Sequence, residues 1–372
     1  MFIFFVLIVG TFLTGMNYFV YKYLLLAFFP KKPGAVFIFL LNISTVLYLC
    51  GLRALNLPDW LYKISAICLG LSFMLFVLTC LYKAGDWLIT RRSFSADQQP
   101  NQQRRQFLSR CYRGAVLGLG TYYLGKGIYN GISLPRVRPI PVRIKNLRSP
   151  LTIVHLTDIH LGRFLQKDFL EGIVHLSNEQ NPDFVVITGD IIDMRPEDIK
   201  DVLDPLKDLR TRYGVFCVPG NHEYYYGVTG ILNKLAGLGV TILGNTSKQI
   251  AGINIAGVYD LAALRLKRGP LPDLDAAVQE TEPDLPTVLL CHQPKFIHHV
   301  DKRHRIDLML SGHTHAGQIF PFSLLVPLDQ PYLYGLYRHD EMTQIYVSSG
   351  VGFWGPPIRF WAPAEIAVLY LT

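Results

Sequence analysis

The sequence predicts an α-helical membrane region followed by an α/β domain, and three observations support this prediction. The chain has 372 residues, 50% of them apolar, which is a high fraction for a soluble protein. The apolar residues concentrate before about Pro150, in runs long enough to cross a bilayer. After that point, short β-rich segments alternate with segments of helical spacing, as they do in α/β domains.

Charge divides the chain at the same place. Residues 1–150 contain 18 Lys and Arg against 3 Asp and Glu, whereas residues 151–372 contain 18 against 25. The basic excess suits a membrane region, because Lys and Arg fix topology and contact anionic headgroups. The acidic excess of the second part suits a binder of divalent cations and argues against nucleic acid as a partner. Six cysteines without paired spacing predict neither disulfides nor a zinc–thiolate site.

Three apolar segments open the chain, and each covers the roughly 20 residues that a membrane-spanning helix needs. They are residues 2–29, interrupted by Lys22, residues 35–52 and residues 61–82. A basic stretch at 83–113 follows, which we predict to be a loop and which the positive-inside bias places in the cytoplasm. With a weaker, Gly-rich run at 115–132, we expect residues 1–132 to form a multi-pass membrane domain with three to four transmembrane helices in contact with membrane lipids.

The basic stretch contains a paired arginine. Residues 103–108 read Gln-Arg-Arg-Gln-Phe-Leu, which resembles a twin-arginine export signal placed inside the chain. The alternative is an ordinary spanning or interfacial helix with basic flanks. If residues 115–132 span, the C-terminal domain is extracytoplasmic, and we predict this placement. The five basic residues of the Pro- and Arg-rich linker at 133–150 favour the cytoplasmic side instead.

The C-terminal part, residues 151–372, contains five short apolar segments that predict strands, each ending at a polar cluster. These are residues 152–157, 184–188, 215–218, 287–291 and 307–310. Helical spacing is present at Phe169, Ile173 and Leu176, and again at Ile199, Val202, Leu203, Leu206 and Leu209. Because ligands of α/β sheets gather beyond the carboxyl ends of strands, we expect the polar clusters to share one site.

These clusters hold acidic, histidine and amide side chains of the kind that bind metal ions. The candidate ligands are Asp158, His160, Asp190, Asn221, His292, His313 and His315, with Asp193 and His222 beside them. A set of this kind without thiolates suits divalent ions such as manganese, iron or zinc. One Asp-x-His pair arises often by chance, but five motifs in order, each closing a predicted strand, indicate a metal site.

The motifs in order are Asp-x-His at 158, Gly-Asp-x-x-Asp at 189, Gly-Asn-His-Glu at 220, His292 and Gly-His-x-His at 312. This pattern resembles the calcineurin-like metallophosphoesterases, over residues 151 to about 318 and with no motif missing. The tail at 348–359 is similar to a membrane-anchored bacterial branch, many of whose members carry twin-arginine-like leaders. The resemblance implies a four-layer αββα sandwich of two mixed sheets flanked by helices.

The resemblance also implies a role for each residue. The first metal ion would be bound by Asp158, His160, Asp190 and His315, and the second by Asp190, Asn221, His292 and His313. A hydroxide bridging ions about 3.5–4 Å apart would attack phosphorus in line. His222 would stabilise the phosphoryl group or protonate the leaving oxygen. Asp193 would orient His222 or a metal ligand, with a helix N-cap as its alternative role.

The expected activity is hydrolysis of a phosphodiester, phosphomonoester or pyrophosphate at the cell membrane. The substrate is either soluble or lipid-linked, as for relatives that cleave UDP-diacylglucosamine. Four aromatic residues would favour a lipid if they form a groove, and otherwise pack at the sheet edge: Phe353, Trp354, Phe360 and Trp361. Arg163 and Gln318 are candidate phosphate contacts, with exposure to solvent as the alternative. The rival function is a non-catalytic membrane receptor or scaffold that has kept the fold. Such a protein would lack one or more of the metal ligands, and no ligand of the pattern is missing here.

Overall fold

The computed structural model describes residues 2–51, 57–92 and 102–372. It divides into two compact units. The first contains Met1–Tyr129 and Gly355–Ile358, and the second contains Asn130–Trp354 and Arg359–Thr372. The first unit is built from helices, and the second is an α/β domain.

The helices before the α/β domain are α1 (Phe2–Val20), the single turn α2 (Leu26–Phe28), α3 (Lys31–Gly51), α4 (Asp59–Arg92) and α5 (Gln102–Ile132). A π-helical turn, Tyr21–Leu25, joins α1 to α2. Among the residues that the structure describes, two helices are long and apolar enough to cross a membrane, Lys31–Gly51 and Asp59–Leu88. The second and third predicted spans fall on them, apart from Leu52, which lies outside the described residues. A total of three to four spans stays a prediction.

The basic stretch predicted as a loop is helical at both ends. Helix α4 continues to Arg92 and α5 begins at Gln102, whereas residues 93–101 lie outside the described residues. The Arg-Arg pair and the Gly-rich run at 115–132 therefore belong to one continuous helix.

The α/β domain contains twelve strands in two six-stranded sheets, within residues 130–372, all of which are described. The first sheet has the order β1 (Arg136–Val142), β12 (Glu365–Leu371), β2 (Leu151–Leu156), β3 (Phe184–Thr188), β4 (Val215–Val218), β5 (Thr241–Ile242). The second has the order β10 (Gly335–Arg338), β11 (Gln344–Val347), β9 (Leu308–Ser311), β8 (Thr287–Leu290), β7 (Ile253–Gly257), β6 (Thr246–Ile250). Both sheets are mixed, since β2 to β5 and β7 to β9 run parallel while β12 and β6 are antiparallel to their neighbours β2 and β7.

The two sheets pack face to face with helices on the outside. Alternate side chains of one strand serve both faces: Phe184 and Val186 of β3 pack against the second sheet, and Val185 and Ile187 pack toward the helices. The helices are α6 (Lys167–Asn178), α7 (Asn221–Tyr226), α8 (Val228–Gly237), α9 (Ala262–Leu266) and α10 (Leu274–Val278). The predicted four-layer architecture is confirmed.

Two segments differ from their sequence patterns. The apolar spacing from Ile199 to Leu209 predicted an α-helix, and this prediction was wrong. The chain instead forms 3₁₀ turns at Pro196–Asp198 and Asp204–Asp208. Proline lacks a backbone N–H and its ring clashes with the preceding turn, which keeps Pro205 out of a helix interior. In the segment predicted as a linker, residues 136–142 form β1, which pairs with β12 in parallel.

Candidate metal centre

The predicted site residues follow the carboxyl ends of five strands from both sheets. Asp158 and His160 come after β2, Asp190 after β3, Asn221 after β4, His292 after β8, and His313 and His315 after β9. All seven predicted ligands therefore reach one edge of the sandwich. Two glycines permit this convergence, since a Cβ at Gly220 would overlap Asp190 and one at Gly312 would overlap Asp158.

The backbone at these residues is unusual. Asp158, His160 and Asp190 have φ angles of 54°, 52° and 51°, and His313 and His315 have φ angles of 71° and 49°. Left-handed conformations are costly for residues other than glycine, and they cluster at functional sites where the surrounding fold enforces them. This conformation lets two side chains that are separated by one residue, such as Asp158 and His160, both point into the site.

The first group of candidate ligands consists of Asp158, His160 and His315. His315 Nε2 lies 3.3 Å from Asp158 Oδ1 and 3.1 Å from His160 Nε2. All three residues are at least 92% buried. Burial lowers the pKa of His315 to about 4, so its imidazole is neutral at physiological pH, the form in which histidine binds metal ions.

The second group consists of Asp190, Asn221, His292 and His313. His292 Nε2 lies 3.2 Å from Asp190 Oδ2, 3.2 Å from Asn221 Oδ1 and 3.2 Å from His313 Nδ1. Burial lowers the pKa of His313 to about 3, assisted by the charge of His292, so His313 is neutral as well. Four ligand atoms of suitable chemistry thus surround one point.

Asp190 lies between the two groups. Its Oδ2 is 3.2 Å from His292 Nε2 on one side and 3.8 Å from His160 Nε2 on the other. Two ligands about 2.1 Å from one ion at tetrahedral or octahedral angles are about 3.0–3.4 Å apart. The distances of His315 Nε2 from Asp158 and His160, and of His292 Nε2 from its three neighbours, match this spacing, whereas His160 Nε2 lies farther from Asp158 Oδ1 and Asp190 Oδ2, at 3.9 and 3.8 Å. Carboxylate, amide and imidazole donors suit borderline divalent ions. The residues therefore fit two divalent cations that share Asp190.

Asp193 connects one candidate ligand to His222. Its Oδ1 lies 3.0 Å from His160 Nδ1 and 2.6 Å from His222 Nδ1. Burial lowers the pKa of His222, but the carboxylates of Asp193 and Asp190 outweigh burial and raise it to about 9. His222 is therefore protonated at neutral pH. The geometry matches an orienting role for Asp193 rather than a helix N-cap.

In His160 and His292, the ring nitrogen that points away from the site, Nδ1, is held by a hydrogen bond. His160 Nδ1 donates to Asp193, and His292 Nδ1 donates to the carbonyl oxygen of Thr188 at 2.8 Å. Each bond directs Nε2 into the site, which is the usual arrangement for metal-binding histidines.

Sequence reasoning assigned no role to Glu223, although the residue ends the Gly-Asn-His-Glu motif. Its carboxylate accepts hydrogen bonds from the backbone N–H groups of Gly220, Ile191 and Asp190 at 2.7, 2.8 and 2.9 Å. It therefore ties the loop after β3 to the start of α7. A Glu three residues after a helix cap is the pattern that could have revealed this contact.

Arg359 is the second residue without a predicted role. Its side chain is fully buried and contacts His315. A single arginine in the otherwise uncharged segment 350–362 was the signal in the sequence, because a charge among apolar residues requires buried partners.

Two of the remaining candidates, Gln318 and Trp354, lie at the rim of the site. Both atoms of the Gln318 amide contact the backbone of Trp354, at 2.8 and 2.9 Å. The Trp354 ring is 6.3 Å from that of His222 and 58% exposed. Phe353 is buried and packs edge-on against Phe164, which matches the packing alternative for this residue.

Arg163 and Trp361 are two further candidates. Arg163 is half-buried in the turn between β2 and α6, next to Gly162, whose N–H bonds the carbonyl oxygen of Leu165. Trp361 is exposed and stacks with Phe360. Trp354 is therefore the predicted groove residue that borders His222.

Residues 151–317 match the family described as calcineurin-like phosphoesterase. A metallophosphoesterase of Helicobacter pylori, described as uncharacterized, is 44% identical over 315 residues, covering 85% of this chain and 83% of the relative. One of Campylobacter jejuni is 37% identical over 362 residues, covering 95% and 94%. A Danio rerio protein described as a transmembrane protein with metallophosphoesterase domain is 34% identical over 342 residues, covering 87% and 77%.

Membership of a bacterial branch with a twin-arginine-like leader stays a prediction, since one of these relatives is a vertebrate protein. The motifs, the two mixed sheets and the relatives agree on the family itself. The chain belongs to the calcineurin-like metallophosphoesterases.

Proposed function

We propose that this protein is a membrane-associated hydrolase that cleaves a phosphodiester, phosphomonoester or pyrophosphate bond with two divalent metal ions. The observation that carries the proposal is the position of Asp190 Oδ2, which is within 4 Å of a histidine nitrogen from each ligand group. One ion would be held by Asp158, His160, Asp190 and His315. The other would be held by Asp190, Asn221, His292 and His313.

Two divalent ions held by these residues would supply a nucleophile at neutral pH, by lowering the pKa of water, and would neutralise charge on the phosphoryl oxygens. A residue of the chain, His222, would supply the proton that the leaving oxygen needs. His222 Nδ1 is bonded to Asp193, and its Nε2 faces the site, 3.9 Å from Asp190 Oδ2. As the new oxygen–phosphorus bond forms and the leaving oxygen separates, protonated His222 gives its Nε2 proton to that oxygen and regains one from solvent.

Metal-dependent hydrolysis is the first test. The full chain in detergent is stripped with a chelator, reloaded with Mn²⁺, Fe²⁺ or Zn²⁺, and assayed on an aryl phosphodiester, an aryl phosphomonoester and a nucleotide sugar. We expect activity to disappear with the metal and return with at least one ion, together with a rise in melting temperature, because ligands of the folded state stabilise it. Metal binding without hydrolysis of any substrate class would favour the receptor or scaffold.

A lipid-linked substrate is favoured by one feature of the α/β domain. A cavity of about 340 Å³ is lined by several apolar side chains, among them Leu134, Phe164 and Phe353, and by Asp168. Phe353 precedes Trp354, whose ring borders His222. We propose that an apolar group of the substrate reaches this cavity when the leaving oxygen lies beside His222.

Two matched substitutions test whether the substrate is lipid-linked. We expect Trp354→Ala to raise KM for a lipid-linked pyrophosphate while leaving KM for a soluble aryl phosphodiester unchanged. Trp361→Ala is the control, because Trp361 is exposed and stacks with Phe360. Equal changes for both substrates would show that Trp354 does not select lipid.

A further inference from the structure

An exposed apolar stretch of chain follows the last two candidate metal ligands. Residues 320–328, which we call the apolar segment, form two 3₁₀ turns between β9 and β10, at Phe322–Leu324 and Val326–Leu328. No residue of the segment is charged. Four of its large apolar residues are at least half exposed: Phe322 (50%), Leu324 (68%), Leu325 (54%) and Leu328 (84%). Exposed apolar surface of this kind marks a contact with a membrane or with another protein.

The backbone of the apolar segment pairs its polar groups within the protein. Pro321 and Pro327 have no N–H group. The N–H groups of Leu324, Leu325 and Leu328 donate to the carbonyl oxygens three residues earlier, at 2.9, 2.9 and 3.1 Å. Lipid hydrocarbon offers backbone groups no hydrogen-bond partner, so a segment that contacts lipid has to pair them internally. The apolar segment meets this requirement.

A polar border follows the apolar segment. Asp329 is the first charged residue after it, and its carboxylate oxygens lie 3.1 and 3.2 Å from Lys295 Nζ. The side chain of Gln330 accepts a hydrogen bond from the Lys295 N–H at 3.0 Å. An apolar surface bordered by paired charges suits the boundary between hydrocarbon and headgroups, where both kinds of side chain find their preferred surroundings.

The start of the apolar segment is fixed to both flanks of residues 355–358. The Phe320 N–H donates to the carbonyl oxygen of Phe360 at 3.2 Å, and the Phe360 N–H donates to that of Gln318 at 2.9 Å. The Gln318 amide also bonds the backbone of Trp354 on the other flank. Residues 355–358 themselves belong to the helical unit.

Within the helical unit, residues 355–358 pack against α4 and α5. A Cβ at Gly70 of α4 would overlap Ile358, and one at Gly127 of α5 would lie 2.9 Å from Ile358. Gly70 belongs to the helix Asp59–Leu88, which is long and apolar enough to cross a membrane, and lies about 16 Å along its axis from Asp59. The chain itself therefore brings a bilayer to the place where the apolar segment begins.

We propose that the apolar segment is a lipid-binding surface that holds the α/β domain in one leaflet of the bilayer. Chain segments of this type bury their apolar side chains about 5–10 Å into the boundary between headgroups and acyl chains. Because His315 precedes Phe320 by five residues, the candidate metal centre lies close to the headgroups in this arrangement. The proposal needs no bound metal, so it can fail or hold independently of the proposed hydrolysis.

A fluorescent residue in the apolar segment tests the proposal. Dansylalanine replaces Leu328, or Leu324 in a second variant, in the full chain reconstituted in phosphatidylcholine nanodiscs, whose two faces are both open to solvent. We expect blue-shifted emission that iodide in the buffer does not quench. Lipids with a nitroxide near the headgroup end of the acyl chain should quench it more than lipids with a nitroxide at the chain end, given a depth of about 5–10 Å.

Asp284→dansylalanine is the matched control. Asp284 is exposed in the turn before β8, at the opposite end of that strand from His292. We expect iodide to quench this position and nitroxide lipids to leave it unchanged. Equal iodide quenching at positions 284 and 328 would overturn the proposal, because the apolar segment would then face water. Blue-shifted emission at 328 that resists both quenchers would overturn it as well, since protein, such as a second copy of the chain, would then cover the segment.

Discussion

Asp193 and His222 form the shortest contact between an acid and an imidazole in the candidate site, with Asp193 Oδ1 2.6 Å from His222 Nδ1. The same oxygen also contacts His160. One carboxylate therefore fixes both a candidate metal ligand and the candidate proton donor. Substitution of Asp193 is therefore expected to affect His160 as well as His222, so metal content has to be measured beside the rate.

We predict that Asp193→Asn moves the alkaline limb of the kcat/KM profile to lower pH. The Asp193 and Asp190 carboxylates raise the pKa of His222 to about 9 against burial, and a group with a raised pKa keeps its proton below that value. Removing one carboxylate lowers the pKa of His222, so the proton donor is lost at a lower pH. A pH–rate series with Mn²⁺ measures the shift, and an alkaline limb that stays in place would rule out His222 as the acid.

We predict that His222→Ala retains both metal ions and loses about 10²–10⁴-fold in kcat, the usual contribution of a positioned acid or base. His222 contacts Asp193 through Nδ1, and its Nε2 lies 3.9 Å from Asp190 Oδ2, whereas Nε2 of the candidate ligand His292 lies 3.2 Å from the same oxygen. Metal content by mass spectrometry accompanies the assay. An emptied metal site in this variant would show that His222 is a ligand.

We predict that Asp190→Ala abolishes metal binding and hydrolysis together. Asp190 is the residue within 4 Å of a histidine from both groups, so its loss removes a ligand from each ion. His155→Gln is a useful control, since His155 is buried in the same sheet and bonds Thr188 without facing the metals. Retention of two ions by Asp190→Ala would contradict the shared ligand.

We predict that Glu223→Gln lowers the free energy of unfolding by about 2 kcal/mol or more, because an amide offers one acceptor oxygen where the carboxylate offers two. The backbone N–H groups of Gly220, Ile191 and Asp190 depend on those oxygens. For a domain of this size the melting temperature should fall by about 4–8 °C. Glu341→Gln, at an exposed position, is the control, and equal melting temperatures in the two variants would argue against a structural role for Glu223.

We predict that the α/β domain lies outside the cytoplasm, as the Arg-Arg-Gln-Phe-Leu segment within α5 and the apolar run after it suggest. Protease added to intact spheroplasts should digest the domain. Protection of the domain in intact spheroplasts, with digestion after lysis, would place it in the cytoplasm. The basic residues at 136–148 would then lie on the side that the positive-inside bias favours.

The sequence by itself determined the order of the candidate metal ligands and the strands that carry them. The strands 184–188 and 215–218 match their predicted bounds, because each is a short apolar run closed by glycine or proline. The ligand types follow from chemistry that any fold must satisfy, so Asp158, Asp190 and His292 were recognisable before their neighbours were known.

The tertiary structure decided which of these side chains meet and what holds them. The pairing of Arg359 with His315 joins residues 44 positions apart, and that of Glu223 with Asp190 joins residues 33 apart. No local pattern encodes such contacts, because they depend on how two sheets stack and where their loops return. Likewise, the apolar spacing from Ile199 to Leu209 suggested an α-helix, and Pro205 and packing against the sheet produced 3₁₀ turns instead. Local sequence thus specifies the types of the candidate ligands and the short strands that carry them. Long-range packing specifies which side chains contact these ligands and hold them in position.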